Sequence, residues 1–114
     1  MNIHDHAPVV GHLVRDHAGR RVGRIVAVDY AATGHSEAWY LLRLTGSRGR
    51  FRAVPATATR WASASSGIRA VVVLDLGREL VWGSPSLSWR ARRAGVCRDA
   101  FAAYYGDPAA AART

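Results

Sequence analysis

The sequence predicts a mainly β fold, a small β-barrel followed by one C-terminal α-helix, and three observations carry that expectation. From Val9 to Leu74, short β-branched or aromatic runs are punctuated by turn residues every 8 to 12 positions. Beyond Gly83-Ser84-Pro85 the apolar residues recur at roughly helical spacing. The chain has 114 residues, 49% apolar and 21% charged, which suits one domain with a packed core and argues against wholesale disorder.

Five strands are expected, at about 10 to 15, 20 to 29, 37 to 45, 50 to 54 and 68 to 74. Asp16-His17-Ala18-Gly19 closes the first hairpin, Thr33-Gly34-His35 the second and Gly46-Ser47-Arg48-Gly49 the third, with glycine supplying the positive φ that such turns require. In the third strand the two-residue period puts Ala38, Tyr40, Leu42 and Leu44 on one face and Trp39, Leu41, Arg43 and Thr45 on the other. The second face is half apolar, so the C-terminal segment, a second copy of the chain or a partner must cover it. In the fourth strand, Arg50 and Arg52 share an outward face opposite Phe51 and Ala53.

The closing helix is expected from about 87 to 105, opening near Ser86 or Ser88, because Ser is a good N-cap and Pro85 cannot continue a preceding helix. Its apolar stripe comprises Trp89, Val96, Cys97, Ala100, Phe101 and Tyr104, Gly95 weakens its middle by about 1 kcal/mol relative to Ala, and Gly106-Asp107-Pro108 ends it. Residues 1–8 then form a flexible arm, 9–85 the barrel, 86–106 the helical segment and 107–114 a disordered tail.

The formal net charge is +8, and all 16 basic residues are Arg. It divides as +5 over residues 1–60, 0 over 61–85 and +3 over 86–114, so two basic regions flank a neutral one. No apolar run approaches the ~20 residues of a membrane helix, the longest candidate being broken by Arg69, Asp75 and Arg78. The opening MNIHDHAPVV has no basic residue ahead of an apolar block and does not read as a secretory signal, so a cytoplasmic location is expected. The single cysteine, Cys97, rules out an intrachain disulfide framework and a multi-thiolate zinc site.

Gly11-His-Leu-Val-Arg-Asp16-His-Ala-Gly19-Arg-Arg-Val22-Gly23-Arg-Ile25 resembles the first hairpin of the PRC-barrel family, whose pattern is G-x-x-V-x-D-x-x-G-x-x-V-G-x-V. The later stretches Phe51-Arg-Ala-Val54-Pro55 and Thr57-Ala-Thr-Arg60 are similar to that family's "VPaeavr", and Ser84-Pro85-Ser-Leu87 with Tyr104-Tyr105-Gly106 to the "aPpl…yYG" of its stand-alone members. The resemblance spans about residues 9 to 106 and implies a six-stranded PRC-type (SH3-like) barrel. It further implies a binding module, akin to the cytoplasmic domain of the photosynthetic reaction-centre H subunit and the C-terminal domain of the small-subunit ribosome maturation factor.

Each candidate site has a structural reading beside the functional one. His4-Asp5-His6 with His12 and His17 offers imidazole and carboxylate groups, but nothing fixes a third ligand, so no metal is expected. Cys97 is either a thiol activated by Arg93 and Arg98 or, in preference, a small hydrophobe on the helix stripe. There is no Gly-x-Ser-x-Gly, no phosphate loop and no carboxylate pair, Glu37 and Glu79 being the only two glutamates, and this points away from an enzyme and from a cofactor.

Arg20, Arg21 and Arg24 after the first turn, with Arg48, Arg50 and Arg52 around the third, make a candidate anion-binding surface if the hairpin ends converge. The alternative is a solvated, compositionally Arg-rich surface. Trp39, Leu41, Trp89, Phe101 and Tyr104 form a candidate partner or dimer surface. The expected function is a non-enzymatic adaptor that binds another protein or itself as a homodimer, the alternative an RNA- or ribosome-associated module using arginine on phosphate.

Overall fold

A tight hairpin starts the sheet. In the computed structural model, which describes residues 9–30, 38–44, 46, 49–62 and 71–106, β1 (Leu13–Arg15) runs antiparallel to β2 (Arg21–Tyr30). The turn between them is the expected one: Gly19 takes φ +82° and donates its N–H to the Asp16 carbonyl at 2.9 Å. β3 (Ala38–Arg43) and β4 (Arg50–Pro55) extend the sheet antiparallel, and a 3-10 turn at Ala56–Ala58 leads into β5 (Thr59–Ala62). β6 (Val71–Leu74) pairs antiparallel with β5 and parallel with β1, and the two-residue β7 (Leu87–Ser88) pairs with β4.

The result is one seven-stranded sheet in the order β5-β6-β1-β2-β3-β4-β7, with β5 and β7 as its ends. All five expected strands are present, and β5 and β7 add to them. Two helices complete the chain, α1 (Arg78–Trp82) and α2 (Val96–Tyr105).

The period-two reading of β3 holds. Tyr40 and Leu42, with Leu44 just beyond the strand, join Val14, Val22, Ile25, Val54, Val72 and Leu74 in a core on the inner face of the sheet, which Val9 and Val81 complete. Trp39 and Leu41 enter a second core on the outer face with Phe51, Ala53, Val96, Cys97 and Phe101. The cover that the outer face needs is thus α2 itself. Phe101 is fully enclosed, a burial that contributes about 1.5–3 kcal/mol relative to an exposed ring. Tyr105 adds a polar anchor: its hydroxyl donates to the Ala53 carbonyl at 2.6 Å, and burial pushes its pKa up to about 12. On the inner face, burial raises the pKa of the Tyr40 hydroxyl, and the Thr59 hydroxyl of β5 donates to the Ala56 carbonyl at 2.6 Å.

The C-terminal helix starts later than the sequence predicts. Ser88 caps only a 3-10 turn at Trp89–Ala91, its Oγ accepting the Arg90 N–H at 3.2 Å, and α2 begins after Gly95. Gly95 sits at the N-cap with φ +79° and does not weaken the middle of the helix. It has no side chain with which to cap, so the cap comes from the sheet. Asp29 of β2 accepts the Gly95 N–H at 2.9 Å with one carboxylate oxygen and the Cys97 N–H at 3.0 Å with the other.

Asp16 plays the same part at α1, a helix that lies within the 9–85 span expected to be barrel. Its carboxylate closes the hairpin by accepting the N–H groups of Ala18 at 3.0 Å and Arg20 at 2.8 Å, then receives the Arg78 N–H at the start of α1 at 3.3 Å. Arg20 bridges the two elements, contacting Asp16 at 2.9 Å and Glu79 at 2.6 and 3.0 Å. Burial alone would raise the pKa of Asp16; the N–H groups of Arg20 and Arg78 and the Arg20 guanidinium more than offset it and hold it at about 2.

Gly23 explains itself by close approach. A Cβ there would lie 2.6 Å from the Arg43 carbonyl oxygen, a backbone atom in the neighbouring strand, so Gly23→Ala is expected to cost about 1–3 kcal/mol in urea denaturation. The native pKa of Asp16 lies below that of the unfolded chain, so its stabilisation is full above about pH 4 and is lost as pH falls towards 2. Asp16→Asn should therefore lower stability at neutral pH and flatten its decline between about pH 4 and pH 2, as read from melting curves across that range.

Candidate functional site

The arginines expected to act together are divided by the fold. Arg20 is committed to Asp16 and Glu79. Arg50 and Arg52 project from β4 on the face of Val54, and Arg52 lies directly opposite Leu42, a residue of the inner core. Their guanidinium groups hold the segment before β7. Arg50 donates to the Ser86 hydroxyl at 2.9 Å and its carbonyl at 2.5 Å, and Arg52 donates to the Ser84 carbonyl. They share the face opposite Phe51 and Ala53 as expected, and Arg50 is exposed, but Arg52 is half-buried: α2 covers the Phe51 and Ala53 side, while residues 84–86 lie along the other and hold both guanidinium groups. Arg48 is outside the described residues.

Arg21 and Arg24 of the expected group stay together, in a basic face that the strand register completes with other arginines. Two bulges in β2 set it up, one opposite Val14 and one at Val26, where the ladder skips from Ile25 to Ala27. The first lets Arg21 and Arg24, three positions apart, share the outer face, which strict alternation would forbid. Arg21 lies opposite Arg15, which neighbours Val73 of β6, which in turn lies opposite Arg60 of β5. One row along, Arg24 stands between Arg43 of β3 and Leu13 of β1.

Five guanidinium groups therefore surround a half-buried aliphatic row of Leu13, Val71 and Val73. Arg15 and Arg24 each give one N–H to a carbonyl, Gly19 at 2.9 Å and Gly11 at 2.6 Å, and Arg60 meets Asp75 only at 3.7 Å. Arg21 and Arg43 are exposed, and neither makes an ion pair among the described residues. Like charges directly opposite in a ladder repel, so Arg24 beside Arg43 costs stability that a bound anionic group would return.

The aromatic candidates separate into two groups. Trp39, Leu41 and Phe101 are buried beneath or within α2, and this corrects their assignment to a partner or dimer surface. Trp89 and Tyr104 stay at the surface, 38% and 36% exposed. Trp89 meets Phe51 edge-on at 5.8 Å and carries Arg92 over its ring at 4.7 Å, while the Tyr104 hydroxyl donates to the Leu80 carbonyl at 2.6 Å and ties α2 to α1. Trp82 carries Arg78 in the same way at 4.5 Å.

The remaining candidates resolve into structural roles. Burial and the adjacent Asp29 carboxylate push the Cys97 thiol far above its usual range, which leaves it a core residue with no thiolate to react. His12 shares a 3.0 Å hydrogen bond with the Val9 carbonyl and meets Trp61 edge-on, while His4 and His6 lie outside the described residues. Among the described residues no group of three His, Cys, Asp or Glu side chains gathers as a metal site, and no helix is long and apolar enough to cross a membrane.

No family model, curated protein or solved structure matches the chain, so the site is read from its own geometry.

Arg50 and Arg52 make a direct test of these placements. Arg52→Glu would turn a carboxylate towards the Ser84 carbonyl and is expected to cost about 1–3 kcal/mol, while Arg50→Glu, at an exposed site, should cost less than about 1 kcal/mol. Equilibrium unfolding of the two single variants measures the difference.

Proposed function

We propose that this chain is a non-enzymatic binding module of the PRC-type, SH3-like barrel architecture, and that it acts by contacting another protein. The barrel reading draws support from the short link Ala56–Ala58 between β4 and β5. These strands stand five places apart in the ladder, about 24 Å in a flat sheet at the usual strand spacing, which three residues cannot span unless the sheet curls back on itself. The PRC-type motifs point the same way: Asp16, Gly19 and Gly23 of the first hairpin each have a backbone or capping reason to be what they are.

The observation that carries the binding reading is the unequal roofing of the outer face. α2 lies over the β2–β3–β4 part, and beyond it the Arg21 and Arg43 guanidinium groups have no protein counter-charge among the described residues. The chain's own helix covers Trp39 and Leu41 and so takes them out of any self-association surface, while Trp61, Trp82 and Trp89 stay 44%, 46% and 38% exposed. The uncompensated arginines favour a heterologous acidic protein over a second copy of this basic chain, with RNA as the competitor.

Affinity capture with the full chain, with and without ribonuclease, separates the two. The expected result is a protein complex that survives ribonuclease and can be rebuilt in fixed stoichiometry from purified components. Capture of RNA alone, abolished by ribonuclease, would overturn the proposal.

A further inference from the structure

Resting on the binding-module reading, we infer that the outer face of β1, β2, β3, β5 and β6 docks an extended, acidic protein segment whose carboxylates flank apolar side chains. Five arginines set the chemistry, Arg15, Arg21, Arg24, Arg43 and Arg60, and among the described residues Asp75, at 3.7 Å from Arg60, is the one acid paired with them. A guanidinium fork pairs with a carboxylate through two parallel hydrogen bonds, and Arg21 and Arg43 are exposed with no ion pair among the described residues.

The centre of the face is aliphatic. Leu13, Val71 and Val73 lie among the arginines, an arrangement of apolar core and charged rim that matches the anatomy of protein interfaces. Alternate residues of an extended chain are about 7 Å apart, the same repeat that separates the two arginine rows along the strands. A segment lying along the strands with acidic residues at every second position therefore meets both rows.

Other occupants fit less well. Single-stranded RNA would lack a stacking platform, since Trp61, the aromatic of β5, is in register with the buried Val72 and so belongs to the opposite face. A second copy laid face to face would set arginine against arginine.

The test is fluorescence anisotropy with the full chain and three labelled probes: a synthetic peptide alternating Glu and Leu, polyglutamate of equal charge, and a single-stranded RNA oligonucleotide. The Glu/Leu peptide is expected to bind at least about tenfold more tightly than either of the others, which is one decade in Kd. Arg21→Glu with Arg43→Glu should weaken it by about tenfold or more, and the milder Arg21→Gln with Arg43→Gln should weaken it in the same direction. The same charge change made elsewhere, by Arg90→Glu with Arg98→Glu, should alter affinity by less than about twofold. The Arg21/Arg43 variants, which relieve the like-charge pairs with Arg15 and Arg24, should melt no lower than the parent.

Polyglutamate binding as tightly as the mixed peptide would remove the apolar centre from the account. RNA binding most tightly, and being lost in the Arg21/Arg43 variants, would assign the face to phosphate. Equal losses from the two charge-reversal variants would reduce the effect to net charge. Each result overturns the inference. If the captured complex instead forms unchanged with the Arg21→Glu/Arg43→Glu variant, the docking face is wrong while the binding-module reading stands.

Discussion

Two aspartates in the first hairpin hold the molecule together across its length. Neither α1 nor α2 supplies a side-chain cap of its own, and each instead receives one from the sheet: Asp16 at Arg78, and Asp29 at Gly95 and Cys97. An unpaired buried carboxylate is expensive, and so is a buried helix N-terminus with open N–H groups. Setting one against the other removes both penalties and gives each helix a single position on the sheet. The rest of the outer core, from Trp39 to Phe101, depends on that position.

The same constraint decides which surfaces are open. With α2 moored over Ala27, Trp39, Leu41 and Phe51, the apolar outer face is consumed internally, and what the strands show beyond the helix is arginine around a short aliphatic row. Arg20 is withdrawn from that surface by its two carboxylates, and Arg50 and Arg52 are withdrawn by the carbonyls of Ser84 and Ser86. Arginine in this chain thus serves two ends. Where a loop or hairpin needs its backbone oxygens satisfied it acts as internal scaffold, and elsewhere it sets the charge of the exterior.

Much of the architecture was legible because local signals and long-range packing agree. The alternation in Ala38 to Leu44 separates the two cores correctly, and the Asp16–Gly19 turn closes where glycine allows it. The helix onset was misread at Ser88 because a good capping residue there serves a 3-10 turn, while the true cap, Asp29, lies 66 residues from Gly95 and leaves no local trace. The basic face was legible only in part. Arg21 and Arg24 belong to the surface expected from the sequence, and the bulge opposite Val14 is what puts them on one side of β2, but their companions Arg15, Arg43 and Arg60 come from a register with no local signal. Arg43 was assigned to its proper face, yet its neighbour across the ladder could not be known before the register was.

The remote caps also set an order of events in folding. α2 has only ten residues, too short to persist alone in water, and its capping partner is separated from Cys97 by 68 positions. The contact becomes available only after β2 has paired, so the helix forms downstream of the sheet and its interactions are largely absent from the folding transition state. Changes that strengthen the seating of α2 will then act mainly on the rate of unfolding, slowing the escape of a chain whose speed of collapse is governed by its hairpins.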